Sequence, residues 1–271
     1  MARRPLAATS VRDALDSAVI ALTAAGVDTP RLDAEVLLAA ALGVDRAALI
    51  AGSVDVSGEA ARAFQDAVRR RREREPVAYI LGRKGFRALE LSVDRRVLVP
   101  RPETEHVVEA ALELPRGAKV VDVGTGSGAI ALALKDERPD LRVVGTDASA
   151  GALDVARSNA ARLGLDVEFV QGDLLAGVEE VDAVVSNPPY VSEGERVMPE
   201  VLFEPREAVF GGLSVIERLV PAAAVASFIA LEHGAGQADA VEAIMRAAGF
   251  TETQRIRDLA GIERVALGRR P

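Results

Sequence analysis

Apolar positions along the first 80 residues recur at intervals of three and four, the spacing of one helical face. Ser10 is placed to cap a helix over Val11–Ala25, with Asp13 three residues on and Gly26 as its stop. Thr29-Pro30 opens a second helix that Gly43 closes. Leu32, Glu35, Val36, Leu37 and Ala40 mark its inward face. Asp45–Ala51 predicts a short third helix, and Ser57 is expected to cap a fourth that runs towards Arg74 until Pro76 stops it. Pro76–Leu81 adds a further turn or two. None of these helices can bury its stripe alone, so together they predict a small bundle.

The pattern then changes. Gly85-Phe86-Arg87 and Leu89–Val93 are short extended pieces around a turn, which predicts a β-hairpin linker, and Pro100 and Pro102 punctuate the chain after it. From Lys119 strands and helices alternate. Val120–Val123, Arg142–Gly145, Val167–Val170, Val181–Ser186, Phe228–Leu231 and Val265–Leu267 read as strands. Ile130–Arg138, Ala150–Arg162 with Ser149 as its cap, and Gln237–Ala248 read as helices. Such alternation predicts a parallel sheet with helices on both faces. The expected division is a helical bundle over 1–84, a hairpin linker over 85–99 and an α/β domain over 100–271.

Composition narrows the chemistry. The 271 residues include no Cys, which removes disulfides, zinc fingers, iron–sulfur clusters and thiol catalysis. His106 and His233 are the only histidines, so a His-rich metal site is not expected. Both read as structural or solvated. No apolar run approaches about 18 residues, the length a membrane span needs. Met1–Leu6 is basic but leads into a charged helix, unlike a signal peptide. A soluble cytoplasmic chain is the expectation. Charge is uneven: residues 1–99 carry 16 basic and 13 acidic side chains, net +3, and residues 100–271 carry 17 and 28, net −11. A net of −11 argues against a duplex-DNA footprint on the larger part. The run Arg69–Arg72 with Arg74 reads as a solvated helix face.

Three signals carry candidate chemistry. The first is Asp122-Val123-Gly124-Thr125-Gly126-Ser127-Gly128-Ala129, where the first strand of the α/β part turns into its first helix. Glycines there let the backbone approach a ligand, and a helix N-terminus offers N–H groups. Gly124, Gly126 and Ala129 also satisfy the dinucleotide fingerprint, so the loop by itself leaves an NAD enzyme and a methyltransferase both open. The second is Asp147, at the end of the next strand, suited to accept hydrogen bonds from both ribose hydroxyls of an adenosine; the competing reading is a helix cap. The third is Ser186-Asn187-Pro188-Pro189-Tyr190, after the strand Val181–Ser186. A site that methylates an amide nitrogen must grip its N–H groups and aim the nitrogen. The Asn187 side-chain oxygen can accept one N–H and the Pro188 carbonyl another. The two prolines stiffen that backbone. Tyr190 can stack on a planar amide.

With these residues the chain resembles the HemK/PrmC family, S-adenosylmethionine-dependent methyltransferases that modify the glutamine amide of the GGQ tripeptide in peptide-chain release factors. The resemblance runs through nearly the whole length. It includes Tyr79-Ile80-Leu81-Gly82, Leu98–Glu105 (Leu-Val-Pro-Arg-Pro-Glu-Thr-Glu), Gln171-Gly172-Asp173-Leu174, Glu204-Pro205-Arg206, Leu231-Glu232-His233-Gly234, Asp258-Leu259-Ala260-Gly261 and Leu267-Gly268-Arg269-Arg270. Asn-Pro-Pro-Tyr is shared with adenine-DNA and guanine-RNA methyltransferases; the Pro-Arg-Pro-Glu-Thr-Glu segment is more specific. One stretch departs from the family: Gly211-Gly212-Leu213-Ser214 runs into a helix, and Ala222–Ser227 reaches Phe228 without the usual Gly-Gly turn.

The resemblance implies a seven-stranded Rossmann-like methyltransferase domain preceded by a helical bundle that recognises the substrate protein. It implies that Gly124, Thr125, Gly126, Ser127 and Gly128 line the methionine part of the cofactor, that Asp147 holds the ribose, and that Asp173-Leu174 borders the adenine. Asn187, Pro188, Pro189 and Tyr190 would receive the glutamine. Thr104 and Arg101 would lie near the cofactor, and the Arg69–Arg74 run would be a basic face that steers an acidic release factor. No metal and no general base is expected, and nothing demands more than a monomer. Four alternatives remain open: a ribosomal-protein glutamine methyltransferase, a nucleic-acid base methyltransferase, an NAD-dependent oxidoreductase, and a non-catalytic adaptor.

Overall fold

The computed structural model describes residues 9–51 and 55–270; Met1–Leu6 lies outside them. The chain divides into two compact units, Met1–Gly82 with Pro199–Phe203, and Arg83–Met198 with Glu204–Pro271.

The first unit contains β1 (Thr9–Ser10), α1 (Val11–Ala24), α2 (Pro30–Leu42), α3 (Arg46–Ala51), β2 (Asp55–Val56), α4 (Gly58–Arg72) and α5 (Val77–Leu81). Ser10 caps α1: its hydroxyl oxygen accepts the Asp13 N–H at 3.1 Å and donates to the Asp13 carboxylate at 2.7 Å. Asp45 caps α3 by accepting the Ala48 N–H. Ser57 stands at the start of α4, yet its side chain makes no capping hydrogen bond. Leu15, Leu22, Leu37, Leu38 and Phe64 form the buried centre.

The inward face of α2 differs from the sequence expectation. Asp33, Ala34, Leu37, Leu38 and Ala39 are buried, and Leu32 is 43% exposed. The cause is a partner 38 residues away. Arg71 of α4 donates from Nε to the Asp33 carboxylate at 2.7 Å and turns that face of α2 inward. Arg71 also pairs with Glu200 at 2.8 Å, on the 3₁₀ turn Pro199–Phe203. The second Glu200 oxygen takes Arg74 at 2.7 Å. Burial works against the Glu200 charge, but Arg74 and Arg71 outweigh it and hold the carboxyl below its usual range. Arg70 grips Glu75 through two bonds, at 2.7 and 3.0 Å. Arg70, Arg71 and Arg74 are therefore internal wiring, in place of the solvated face expected for the whole run, whereas Arg69 and Arg72 are exposed as expected.

The second unit opens with an antiparallel hairpin, β3 (Arg83–Phe86) and β4 (Leu89–Ser92). Phe86 and Leu91 are buried in the core of this unit. Arg87 sits at the turn with φ of 51° and clamps Glu137 by two bonds at 2.7 Å. The stretch expected as a linker thus packs as part of the second unit. Then come α6 (Glu105–Ala111), β5 (Lys119–Val123), α7 (Ala129–Glu137), β6 (Arg142–Asp147), α8 (Ala150–Leu163), β7 (Glu168–Gln171), β8 (Ala183–Ser186), α9 (Arg206–Val209), α10 (Gly212–Ala222), β9 (Phe228–Glu232), α11 (Ala238–Ala247), β10 (Glu252–Arg257) and β11 (Glu263–Arg269).

Seven strands form one sheet in the order β10-β11-β9-β8-β5-β6-β7. β5 to β9 are parallel; β11 runs antiparallel to β9, and β10 antiparallel to β11. The sheet is mixed where the pattern predicted a parallel one. A five-residue connection joins β10 to β11, too short for the crossover of a dozen or more residues that a parallel pair needs. β10 also had no apolar signature: Glu-Thr-Gln-Arg-Ile-Arg is a charged edge strand, a common guard against edge-to-edge pairing. Alternation along the central strands feeds two cores. Val120, Val143, Ala183 and Ala230 face α6, α7 and α8; Val121, Val144, Val184 and Ile229 face α10 and α11. α10 ends in a 3₁₀ turn, Ala223–Val225, that leads into β9 almost directly.

Candidate active site

The loops after β5, β6, β7 and β8 surround a cavity of about 370 Å³ at the carboxyl ends of the parallel strands. This is where ligands of open α/β sheets sit, because the chain diverges there to either face. Its wall takes in Thr104, Gly124, Thr125, Gly126, Ser127, Asp147, Leu174, Asn187, Pro188 and Pro189. Arg96, Glu207 and the apolar α10 residues Val215 and Leu219 also line it, and no local pattern marks these four.

The glycine loop is held from below. Asp122, buried at the end of β5, accepts the Thr125 hydroxyl at 2.6 Å and the Ala131 N–H at 3.1 Å through the same oxygen. Its other oxygen has no hydrogen-bond partner. Burial pushes this carboxyl up to about 7, against the pull of those two donors. Asn159 of α8 ties the loop to the hairpin. Its Nδ2 donates to the Ser127 and Ser92 carbonyls at 2.9 and 3.0 Å, and its Oδ1 accepts the Ser92 N–H at 2.8 Å. Gly128 does not reach the cavity wall: it lies behind it at φ of 83°, where a Cβ would stand 2.9 Å from Leu132.

Asp147 ends β6 with one N–H on each oxygen, Gly126 at 3.0 Å and Ser149 at 2.9 Å. Ser149 itself caps α8 by accepting the Ala152 N–H, so the capping and ligand readings of this corner fall on two different residues. Two of the N–H groups expected for a ligand, those of Gly126 and Ala131, are spent inside the protein.

The residues fit an adenosyl cofactor. Gly124 and Gly126 are in the wall at φ of 72° and 56°, and a Cβ built on either meets no protein atom closer than 4.0 Å. Side chains there would fill space that the glycines leave open. A carboxylate offers about four lone-pair positions. Asp147 has used two, which leaves two for a pair of ribose hydroxyls. Burial raises its pKa, as expected for a carboxylate at an enclosed wall. Leu174 is in the same wall at φ of 56°, its carbonyl fixed by the Thr146 hydroxyl at 2.7 Å.

On the opposite side, Asn187 follows β8. Its Nδ2 donates to the Thr104 hydroxyl oxygen at 3.0 Å. Thr104 in turn donates to Glu232 at 2.6 Å, and the Tyr190 phenol donates to the other Glu232 oxygen at 2.9 Å. Gln237 holds the Tyr190 carbonyl at 3.0 Å and the Gly234 N–H at 2.9 Å. Tyr190 stands beside the cavity and is absent from its wall. Burial and the Glu232 charge push its phenol pKa up. Burial likewise pushes Glu232 up, against the Thr104 and Tyr190 bonds. Glu232 and Gln237 were missed as site residues. The available signal for Glu232 was a carboxylate closing the otherwise apolar run Phe228–Leu231.

Arg101 is paired with Glu204, which also accepts the Val99 N–H at 3.3 Å, and it contributes nothing to the wall. His106 contacts Glu109, and His233 is buried with its pKa lowered by desolvation. Among the described residues, no group of three or more His, Asp or Glu side chains is placed to hold a metal ion. No helix among them is long and apolar enough to cross a membrane.

Comparison with known proteins finds relatives along nearly the whole chain. Residues 13–82 match the PrmC N-terminal domain, and residues 104–208 match the methyltransferase small domain. The release factor glutamine methyltransferase of Koribacter versatilis is 42% identical, covering 97% of this chain and 99% of that protein. The proteins of that name from Mycolicibacterium smegmatis and Deinococcus radiodurans are 42% and 41% identical over 93% and 96% of this chain, and 95% and 98% of their own lengths. Among solved structures, the catalytic domain of hMettl16 superposes with a TM-score of 0.57 at 14% identity, over 75% of this chain and 82% of that one. A methyltransferase from Pyrococcus furiosus gives 0.51 at 17%, over 67% and 88%. The structural likenesses carry the fold alone, and the sequence likenesses carry more: this chain belongs to the release factor glutamine methyltransferase family.

Proposed function

We propose that this chain transfers a methyl group from S-adenosylmethionine to the side-chain amide nitrogen of the glutamine in the GGQ motif of peptide-chain release factors. The observation that carries the reading is the Asn187 amide. Thr104 takes its Nδ2, which leaves Oδ1 as an acceptor in the wall of the same cavity that holds Asp147 and the glycine loop.

Gly124–Ser127 line the methionine end of the cofactor, Asp147 takes the ribose hydroxyls, and Leu174 borders the adenine. When bound there, S-adenosylmethionine supplies the electrophilic methyl. Asn187 Oδ1 and the Pro188 carbonyl each accept one N–H of the substrate amide. They fix the nitrogen in line and favour the positive charge that develops on it. Pro188 and Pro189 restrict the backbone that carries one of these acceptors. Tyr190, anchored through its hydroxyl, supports the planar amide. The first unit recognises the substrate protein, and the reaction takes place in the cytoplasm on a monomeric enzyme.

The test is transfer of labelled methyl to purified release factor, with the GGQ glutamine intact or replaced by alanine. Incorporation depends on the glutamine, and Asn187→Ala lowers kcat by about 10²–10³-fold while affinity for S-adenosylhomocysteine is retained. Labelling that ignores the glutamine replacement, or an Asn187→Ala enzyme with normal turnover, overturns the assignment.

A further inference from the structure

Glu232 ends β9 at 1% exposure and is absent from the cavity wall. Its oxygens divide between two hydroxyls, Thr104 at 2.6 Å and Tyr190 at 2.9 Å. A carboxylate accepts and cannot donate, so both hydroxyls point their protons at it. Thr104 has a single proton. With that proton committed to Glu232, Thr104 can offer Asn187 only a lone pair, and the 3.0 Å bond from Asn187 Nδ2 has that sense.

This matters because an Asn side chain has nearly the same shape after a half-turn that exchanges Oδ1 and Nδ2. One orientation presents an acceptor to the cavity and the other presents two N–H donors. A substrate amide arrives with N–H groups, so only the first can hold it.

We propose that Glu232 is a positioning residue that sets, through Thr104, which way the Asn187 amide faces. The proposal rests on the reading of Asn187 as the acceptor for the substrate N–H. A neutral amide at position 232 keeps the shape and loses the instruction. Its Nε2 can donate to Thr104, the Thr104 proton is then free to reach Asn187 Oδ1, and the Asn187 amide turns over. The bonds that fix the acceptor lie 83 and 128 residues apart in the chain, which is why no local motif contains them.

The experiment measures kcat, KM for release factor and S-adenosylhomocysteine affinity for E232Q, T104V, T104S and the E232Q/T104V pair, with N187A in parallel. E232Q and T104V lower kcat by about 10- to 100-fold. Cofactor affinity for E232Q stays within about twofold, and T104S recovers most of the rate because it restores the hydroxyl. The double variant falls within about threefold of the worse single, because both substitutions break one linkage. T104V at wild-type kcat, losses that multiply in the double variant, or a kcat loss matched by an equal loss of cofactor affinity overturns the proposal. If E232Q does not fold, the T104S and T104V contrast decides alone. N187A separates the two levels: full activity there removes the acceptor reading itself, whereas an inactive N187A beside an unaffected T104V removes only the role of Glu232.

Discussion

The two units differ in how they hold their buried carboxylates. In the helical unit, Asp33 and Arg71 are buried, and with the half-buried Glu200 and Arg74 they form a chain of alternating signs. In the methyltransferase unit, Glu204 is buried against Arg101, but Asp122 and Glu232 are buried with no cation in contact, each held by hydroxyl or N–H donors. Opposite charges neutralise each other and fasten elements that are far apart in sequence. A lone carboxylate held by neutral donors fixes the direction of protons around it, at the cost of a raised pKa. Such perturbed groups gather at functional sites, and the two here flank the cavity, one under the glycine loop and one behind Asn187.

The sharpest way to break this contrast is on the paired side. Arg71→Met strands the buried Asp33 carboxylate and takes one of its two cations from Glu200, and the chain loses about 3–5 kcal/mol of stability, read as a lowered urea midpoint of the full-length protein. An unchanged midpoint would mean that these charges are solvated.

On the lone-carboxylate side, the Asp122 carboxyl is raised from an ordinary 3.8 to about 7 in the folded chain. The folded state therefore keeps a proton that the unfolded state releases between those values. Its contribution to stability is full below pH 3.8 and is lost as pH rises to about 7. Relative to wild type, Asp122→Asn gains about 4 kcal/mol across that window, because the variant has no charge to bury. Parallel stability curves for the two proteins would show that Asp122 does not titrate in this range.

The smallest effect separates two serines that look alike in sequence. Ser149→Ala loses about 1 kcal/mol, since its oxygen caps α8. Ser57→Ala changes stability by less than about 0.5 kcal/mol, since that side chain caps nothing. Thermal unfolding of the two variants ranks them; equal losses would show that sequence position alone makes a cap.

What could be read from the sequence was what is local. The glycine loop, Asp147 and Asn-Pro-Pro are contiguous or end a buried strand, and the structure brings them to one cavity. The five parallel strands and their helices followed from apolar runs and capping residues. The failures share a cause. Asp33 turns inward because of Arg71, Glu200 joins the helical unit through two arginines more than 120 residues earlier, and Glu232 acts through Thr104, 128 residues away. β10 is charged, and nothing in its pattern distinguishes it from a loop. Polar partners distant in sequence leave no period to detect.

The turn Pro199–Phe203 has a consequence for anyone who would treat the helical unit as a movable cassette. The backbone passes between the units three times, after Gly82, after Met198 and after Phe203. A fragment ending at residue 82 lacks Glu200 and leaves Arg71 and Arg74 without one of their counterions. Swapping helical units between relatives therefore calls for two grafts, the helices and a five-residue patch lying a dozen residues past Asn187, exchanged together.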